Sequence, residues 1–286
     1  MMKKTLISTA ILALATLMSV PAAQAKEWKT VTIGLEGAYE PWNLTKPDGT
    51  MDGFEIDLAK DICGRIKVEC KFIAQDWDGM IPSLNAGKFD VIMDGMSITE
   101  ERKKQIDFSR PYAGERAGFA TLKSNDLAKL AGTGTIVTLT GDAAHDKPTV
   151  DALRDAVKGK TIGVQVATNY AEWLAKNFKD VATITEYKTV GEADLDLSAG
   201  RVDATVGDVT FYYSVLSRPD HSEMMLAGPE ITGAVWSEGI GPAFRKSDPE
   251  LRDMFDKAIG EALADGTIKK LSMKWFKTDM SPQTKS

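Results

Sequence analysis

The sequence GFEIDLAKDICGRI, at positions 53–66, predicts a helix over residues 54–66 with one buried face. Its large apolar side chains recur close to helical spacing, at Phe54, Ile56, Leu58, Ile62 and Ile66. Short runs that contain β-branched or aromatic residues flank this helix, at residues 31–33 before it and 71–74 after it. Alternation of strand, helix and strand predicts a parallel α/β sheet.

The same alternation continues along the chain and then starts again. A second helix is predicted at residues 80–86 and a third strand at 89–93. A new strand at 161–164 is similar to residues 32–35. Each is followed by a tyrosine and a tryptophan, Tyr39 and Trp42 in one half and Tyr170 and Trp173 in the other. Two similar half-chains indicate two lobes of one fold type, although α/β proteins also reuse such local signals.

Two further segments have distinct compositions. Residues 125–148 are rich in Gly, Thr and Asp, which predicts a surface excursion with one short strand at 135–140. Residues 249–276 carry apolar side chains at helical spacing on both sides of Asp265-Gly266-Thr267, which predicts a pair of helices.

The start of the chain predicts export. Lys3 and Lys4 precede a short apolar run at residues 6–20, and Ala23-Gln24-Ala25 matches a signal-peptidase site. The apolar run is shorter than the roughly 20 residues that a membrane-spanning helix needs. Cleavage after Ala25 would remove residues 1–25 of the 286-residue chain and leave the mature protein in the periplasm.

Bulk composition narrows the class of function. The chain is 43% hydrophobic and 27% charged, which is typical of a globular protein. Its formal net charge of −6 argues against nucleic acid and anionic membranes as partners. No later apolar stretch is long enough to cross a bilayer, so we expect a protein that is not itself membrane-embedded.

Cys63 and Cys70 are the only cysteines. An even number in an exported protein favours a disulfide. Zinc is the competing use, but no histidine lies nearby to complete a ligand set.

Five short motifs follow one another along the chain: residues 53–58, Ile81-Pro82-Ser83-Leu84, residues 97–102, Ile106-Asp107-Phe108-Ser109 and Asp265-Gly266-Thr267. This ordered set resembles the family 3 extracellular solute-binding proteins, which serve ABC importers of polar amino acids. The pattern is most similar to the lysine/arginine/ornithine-binding and the octopine- and nopaline-binding proteins. The pair Cys63 and Cys70 also resembles a small disulfide of the former group.

The resemblance implies the two-lobe periplasmic binding protein fold, type II, in which each lobe is a mostly parallel sheet flanked by helices. The first lobe would hold residues 26–114 and 237–286, and the second would hold 117–233. The crossings would lie near 113–116 and 232–239. In such folds the ligand binds between the lobes, at loops that follow strands.

The resemblance also assigns one end of a ligand site. Arg102 would clamp the ligand carboxylate, because a guanidinium can hold both oxygens at once. Ser97 would contact the same headgroup, and Thr168 and Asn169 would approach from a helix start, where amides favour an anion. Asp208 matches the position that pairs with the α-ammonium, although it could equally be a helix cap.

The distal end would be acidic and aromatic. Tyr39 and Trp77 would sandwich the ligand side chain, and Glu36 would pair with its terminal charge. Core packing is the alternative for Trp77. Asp94 and Gly95 stand where the lysine/arginine/ornithine type has two serines, which predicts added negative charge and added space. Met96 and Gln165 complete the predicted set.

The predicted function is the substrate-binding subunit of an ABC importer that captures a cationic amino acid or an arginine-derived opine by lobe closure. The long 125–148 segment resembles that of opine-binding proteins. We expect no cofactor, no metal and no catalysis, with a monomer delivering its ligand to an inner-membrane permease. The alternatives are a cyclohexadienyl-dehydratase-like enzyme on the same fold and a ligand-presenting sensory protein. His145 and His221 are predicted in surface loops without metal-like spacing.

Overall fold

The structure is a computed structural model that describes residues 27–282. The predicted signal peptide and its cleavage site therefore lie outside the described residues. Within the described range, no helix combines the length and the apolar character needed to span a membrane.

Fourteen strands are described in residues 27–282. They are β1 (Thr30–Leu35), β2 (Ala38–Tyr39), β3 (Asn43–Thr45), β4 (Met51–Asp52), β5 (Glu69–Ala74), β6 (Val91–Ile92), β7 (Asp107–Phe108), β8 (Arg116–Leu122), β9 (Ile136–Thr138), β10 (Thr161–Gln165), β11 (Thr183–Tyr187), β12 (Ala204–Asp208), β13 (Met224–Thr232) and β14 (Ala243–Phe244).

Nine α-helices accompany these strands in the same part of the chain. They are α1 (Phe54–Ile66), α2 (Met80–Asn85), α3 (Glu100–Lys103), α4 (Ala143–Val157), α5 (Asn169–Asn177), α6 (Val190–Ser198), α7 (Val209–Leu216), α8 (Pro249–Ala264) and α9 (Thr267–Trp275).

Helix α1 has the predicted bounds. Four of its five predicted apolar positions are fully buried, while Ile66 is only partly buried against the same core. Lys67 ends the helix in the left-handed conformation and donates its amide to the Cys63 carbonyl. The predicted disulfide between Cys63 and Cys70 is present and ties the end of α1 to β5.

The strands form two large sheets, each with its own buried core. One has the order β5-β1-β6-β14-β7 and the other β11-β10-β12-β8-β13-β9. The strand–helix–strand units give the parallel pairs, β1 with β5 and β6, and β10 with β11 and β12. Strands β8 and β14, which follow the predicted crossings, pair antiparallel with their neighbours. The two-lobe α/β fold is confirmed, with mixed sheets.

The two predicted crossings run side by side. Ala113 forms an isolated bridge with Ile240, so the segments are joined by main-chain hydrogen bonds. Gly239 has φ of 123°, and a Cβ there would lie 2.9 Å from the Ala113 carbonyl oxygen. Only glycine therefore fits this close approach. The lobe boundaries stay a prediction, which the sheet membership of β8 and β14 supports.

Two sequence predictions need correction. The segment 125–148 contains the short strand β9, which pairs with β13, but its last residues already belong to α4. Asp142 caps that helix by accepting hydrogen bonds from the amides of Ala144 and His145, at 2.8 and 3.0 Å. His145 thus lies in a helix. His221 is not in an exposed loop either: it is 7% exposed and its Nε2 lies 2.6 Å from Asp194 Oδ2.

Candidate ligand-binding site

A cavity of about 30 Å³ lies between the two lobes. It is lined by Glu36, Tyr39, Trp77, Asp94, Gly95, Ser97, Arg102, Gln165, Thr168, Asn169 and Tyr170. Ten of the twelve predicted site residues meet here, whereas Met96 and Asp208 do not line the cavity. Met96 is buried in the core of the first lobe. The volume has room for about one water molecule, so an amino acid can enter only if the lobes separate.

Arg102 lies at one end of this cavity. Its Nη1 donates to the Ser97 carbonyl at 3.0 Å, and its guanidinium carbon lies 5.2 Å from the centre of the Trp77 ring. It is 9% exposed, and no carboxylate of the described residues forms an ion pair with it. Burial lowers its pKa. A buried cation without an ionic partner is suited to a ligand carboxylate.

The second lobe reaches Arg102 through its main chain. The Ala167 carbonyl accepts hydrogen bonds from Trp77 Nε1 and Arg102 Nη2, both at 3.3 Å. Ala167 has φ of 57°, a left-handed conformation that is uncommon for a residue with a side chain. These contacts hold the lobes in a closed arrangement.

The start of α5 lies beside Ala167. The Thr168 hydroxyl accepts from the Ala171 amide at 3.1 Å and donates to the Gln165 carbonyl at 2.8 Å. It therefore serves as the helix cap. A ligand carboxylate would meet the first amides of α5 rather than this hydroxyl.

A cluster of buried carboxyl groups lies at the other end. Asp94 Oδ1 accepts from the Glu36 amide and from Asn43 Nδ2, both at 2.9 Å. Asn43 also donates to Glu55 at 2.8 Å, and Gln165 Nε2 donates to both Glu36 oxygens at 3.1 and 3.2 Å. Asp94 is 1% exposed, and its Oδ2 has no hydrogen-bond partner among the described residues.

This clustering changes the acidity of the carboxyl groups. Burial raises the pKa of Glu36 to about 7, with a further contribution from Asp76. Burial, together with the charges of Glu36 and Glu55, holds the pKa of Asp94 well above its usual range. Buried carboxyl groups that repel one another gain a partner when a cation binds between them.

Gly95 does not leave the predicted space. A Cβ at this position would lie 2.7 Å from Cε1 of Tyr39, so the tyrosine ring already fills the volume. Gly95 also has φ of 58°, which disfavours any other residue. Tyr39 in turn stacks on Trp42, with 6.3 Å between ring centres. A glycine is thus required at position 95, both by the positive φ and by the close contact with the Tyr39 ring.

Asp208 serves as a helix cap in this arrangement. It accepts from the Thr210 amide at 2.8 Å and from the Thr210 hydroxyl at the start of α7. Trp42 Nε1 of the first lobe donates to the same hydroxyl at 2.8 Å. Burial raises the pKa of Asp208 to about 6, and its Oδ2 has no partner among the described residues. The predicted contact with a ligand ammonium stays a prediction.

Three residues around the cavity were missed by the sequence analysis. Glu55 lies on the buried face of α1, and an acidic residue among apolar helix positions is a signal that could have identified it. Tyr170 directly follows the predicted Asn169. Glu115 stands between Gly114 and Arg116 in the first crossing, with no motif to mark it.

A larger groove of about 620 Å³ also involves both lobes, but its polar side chains Arg116, Thr210 and Tyr213 have partners within the protein. Arg116 pairs with Glu230 at 3.0 Å, and the Tyr213 hydroxyl donates to Glu230. Thr210 donates to Asp208. The smaller cavity, with its unpaired arginine and carboxyl oxygen, is therefore the better candidate for a ligand site.

Two α/β lobes that close on a cavity with opposite charges at its ends define a solute-binding protein. A family model matches residues 31–278, and the chain belongs to the bacterial extracellular solute-binding proteins, family 3. The predicted family is thereby confirmed.

Similar proteins share this scaffold over most of their length. The octopine-binding periplasmic protein of Rhizobium meliloti is 40% identical, over 94% of this chain and 97% of its own. The L-arginine-binding protein of Pseudomonas aeruginosa is 36% identical, over 92% and 93%. An ancestral arginine-binding protein was solved with arginine (TM-score 0.73, 33% identity, 86% and 98% coverage) and with glutamine (TM-score 0.74, 32% identity, 88% and 100% coverage).

Proposed function

We propose that this protein binds a guanidinium-bearing amino acid, either L-arginine or an arginine-derived opine such as octopine. The observation that carries the proposal is the charge arrangement of the cavity. Arg102 lacks an ionic partner at one end, and Asp94 has an unpartnered buried oxygen at the other. An amino acid with a carboxylate and a distal cation satisfies both ends. The relatives named for octopine and arginine support this ligand class.

The proposal includes the route of the ligand. The mature protein, cleaved after Ala25, would act as a monomer in the periplasm and deliver its ligand to an inner-membrane ABC permease. The relatives are solute-binding proteins, which supports binding without catalysis.

A thermal-shift panel of the twenty amino acids, octopine and nopaline tests the ligand, because a ligand that binds the native state raises its melting temperature. Stabilisation by glutamate alone would contradict the proposal.

Ligand binding is expected to reduce the size of the molecule in solution. The 30 Å³ cavity cannot admit an amino acid without opening, and contacts from both lobes are available only after closure. Small-angle scattering with and without saturating L-arginine or octopine should give a smaller radius of gyration for the complex. An unchanged radius would indicate a rigid cleft.

Affinity for a cationic ligand is expected to rise with pH. The pKa of Glu36 is about 7, and a bound cation stabilises the charged carboxylate, so the pKa falls in the complex. Binding below about pH 7 therefore releases a proton. The association constant for L-arginine should increase between pH 5.5 and 7.5, by at most about tenfold per pH unit for one proton, and then level off.

Calorimetry in buffers of different ionisation enthalpy measures this proton release. Glu36→Gln should remove the part of the slope that Glu36 contributes, because the glutamine side chain does not titrate, and should leave only the part due to Asp94, whose pKa is also raised. A constant association constant from pH 5.5 to 8 in the unmodified protein would exclude Glu36 as the titrating group.

A further inference from the structure

One face of helix α7, in the second lobe, contacts the first lobe outside the ligand cavity. Thr210, Ser214 and Arg218 follow one another at intervals of four residues, along α7 and just past its end. Residues four apart lie on the same face of a helix, so these three side chains form one stripe. The stripe meets Glu40 and Trp42, which follow β2. We call this set of contacts the α7 latch.

The latch has a buried end and an exposed end. At the buried end, Trp42 Nε1 donates to the Thr210 hydroxyl at 2.8 Å, and both residues are at most 1% exposed. At the exposed end, Arg218 Nη2 donates to Glu40 Oε2, and the Ser214 hydroxyl lies 3.5 Å from Glu40 Oε1. The side chains of Glu40 and Arg218 are 42% and 41% exposed. Solvent therefore screens the ion pair only in part.

The latch is separate from the ligand site but mechanically close to it. Glu40, Ser214 and Arg218 do not line the cavity. Tyr39, which does line it, directly precedes Glu40, and its ring centre lies 6.3 Å from that of Phe211 on α7. Every latch contact joins one lobe to the other, so separation of the lobes breaks these contacts whether or not a ligand is present.

We propose that the α7 latch stabilises the closed state and thereby raises the affinity for every ligand by a common factor. The inference rests on the proposed function, because it assumes that ligands are held by lobe closure. When the free protein is mostly open, the apparent affinity is proportional to the small fraction that is already closed. The latch increases this fraction without touching the ligand. It therefore sets the strength of binding and leaves the choice of ligand to the cavity.

The ion pair is the part of the latch that can be changed without disturbing the cavity. Trp42 belongs to the core of the first lobe, and Thr210 bonds the predicted ligand residue Asp208. Glu40→Gln keeps the size of the side chain and removes its charge. We expect the affinities for L-arginine and for octopine to fall by the same factor, about twofold to fivefold, as for other partly exposed ion pairs. Stopped-flow measurements should show the loss mainly as faster dissociation.

Reversal of the charges tests whether the ion pair is the cause. Arg218→Glu places two carboxylates opposite each other and should weaken both ligands more than Glu40→Gln does. The double variant Glu40→Arg with Arg218→Glu restores opposite charges and should recover most of the affinity. Arg201→Glu is the matched control, because it makes the same charge change at an arginine that pairs with Asp196 within the second lobe. It should bind both ligands normally.

A measurement without ligand separates this inference from the proposed function. Leu195 is 63% exposed on α6 of the second lobe, so Leu195→Cys can carry a spin label. Paramagnetic broadening of first-lobe amides rises steeply at short distance and therefore detects a minor closed state. Glu40→Gln should reduce this broadening in the ligand-free protein. If neither arginine nor octopine binds, the ligand assignment is wrong, but this test of the latch still applies.

Two results would overturn the latch. Unchanged affinity together with unchanged broadening in Glu40→Gln would leave the ion pair a surface contact without effect on closure. A loss confined to one of the two ligands would show that Glu40 acts on the ligand rather than on the lobes.

Discussion

Replacement of Arg102 by alanine is expected to abolish measurable ligand binding. Arg102 is buried, and among the described residues that line the cavity it is the only one with a positive charge. A ligand carboxylate enclosed without this partner costs about 3–5 kcal/mol, which corresponds to roughly a thousandfold in affinity. The variant also removes the group that packs against Trp77. Isothermal titration with L-arginine and octopine measures the loss.

Two further variants define the cause of that loss. Arg102→Lys keeps the charge but not the planar fork, so it should recover only a small part of the affinity. Arg201→Ala removes an exposed arginine that pairs with Asp196 in the second lobe, and it should bind normally. Near-normal affinity of Arg102→Ala, with the fold intact by circular dichroism, would remove Arg102 from the site.

The double variant Glu36→Gln with Asp94→Asn is expected to remove the preference for cationic ligands. Both substitutions keep the size of the side chains, and the new amide oxygens can still accept the hydrogen bonds from Gln165 and Asn43. A buried guanidinium that loses its carboxylates costs about 2–5 kcal/mol. Arginine affinity should therefore fall by about thirtyfold to several thousandfold.

The comparison with a neutral ligand makes this prediction specific. Glutamine has the same headgroup but no distal charge, so its affinity should change little in the double variant. The ancestral arginine-binding protein that was solved with glutamine is a precedent for this comparison. Glu69→Gln, on the exposed face of β5, is the control and should bind as the unmodified protein does. Tight glutamine binding before mutation would contradict the cationic pocket itself.

The sequence predicted the regular elements where the local pattern and the packing agree. Helix α1 has its predicted bounds, because its apolar positions face the core of the first lobe. The strand predicted at residues 89–93 is only Val91–Ile92. Phe89 instead fills the space beside Gly34, and Asp90 bonds Arg245 at 2.9 Å. These contacts join distant parts of the chain, which a local pattern does not reveal.

In the site, too, local patterns revealed some residues, whereas contacts between distant parts of the chain decide the others. Ten predicted residues meet at the cavity because they lie at the ends of strands, in the loops that follow strands or near the start of helices, where a motif is visible. Glu115 and the filled volume beside Gly95 could not be predicted in this way. Glu115 matters through partners in both lobes, and the space at Gly95 is decided by the Tyr39 ring. Both depend on how the two lobes come together.

The contact of the Ala167 carbonyl with Trp77 and Arg102 has a consequence for how such proteins can diversify. The second lobe meets the clamp through a main-chain oxygen, which every amino acid retains at that position. Substitutions at Glu36 or Asp94 can change the preferred ligand without removing this contact. Ligand preference can therefore change in small mutational steps, because this main-chain part of lobe closure is retained when the side chains that select the ligand change.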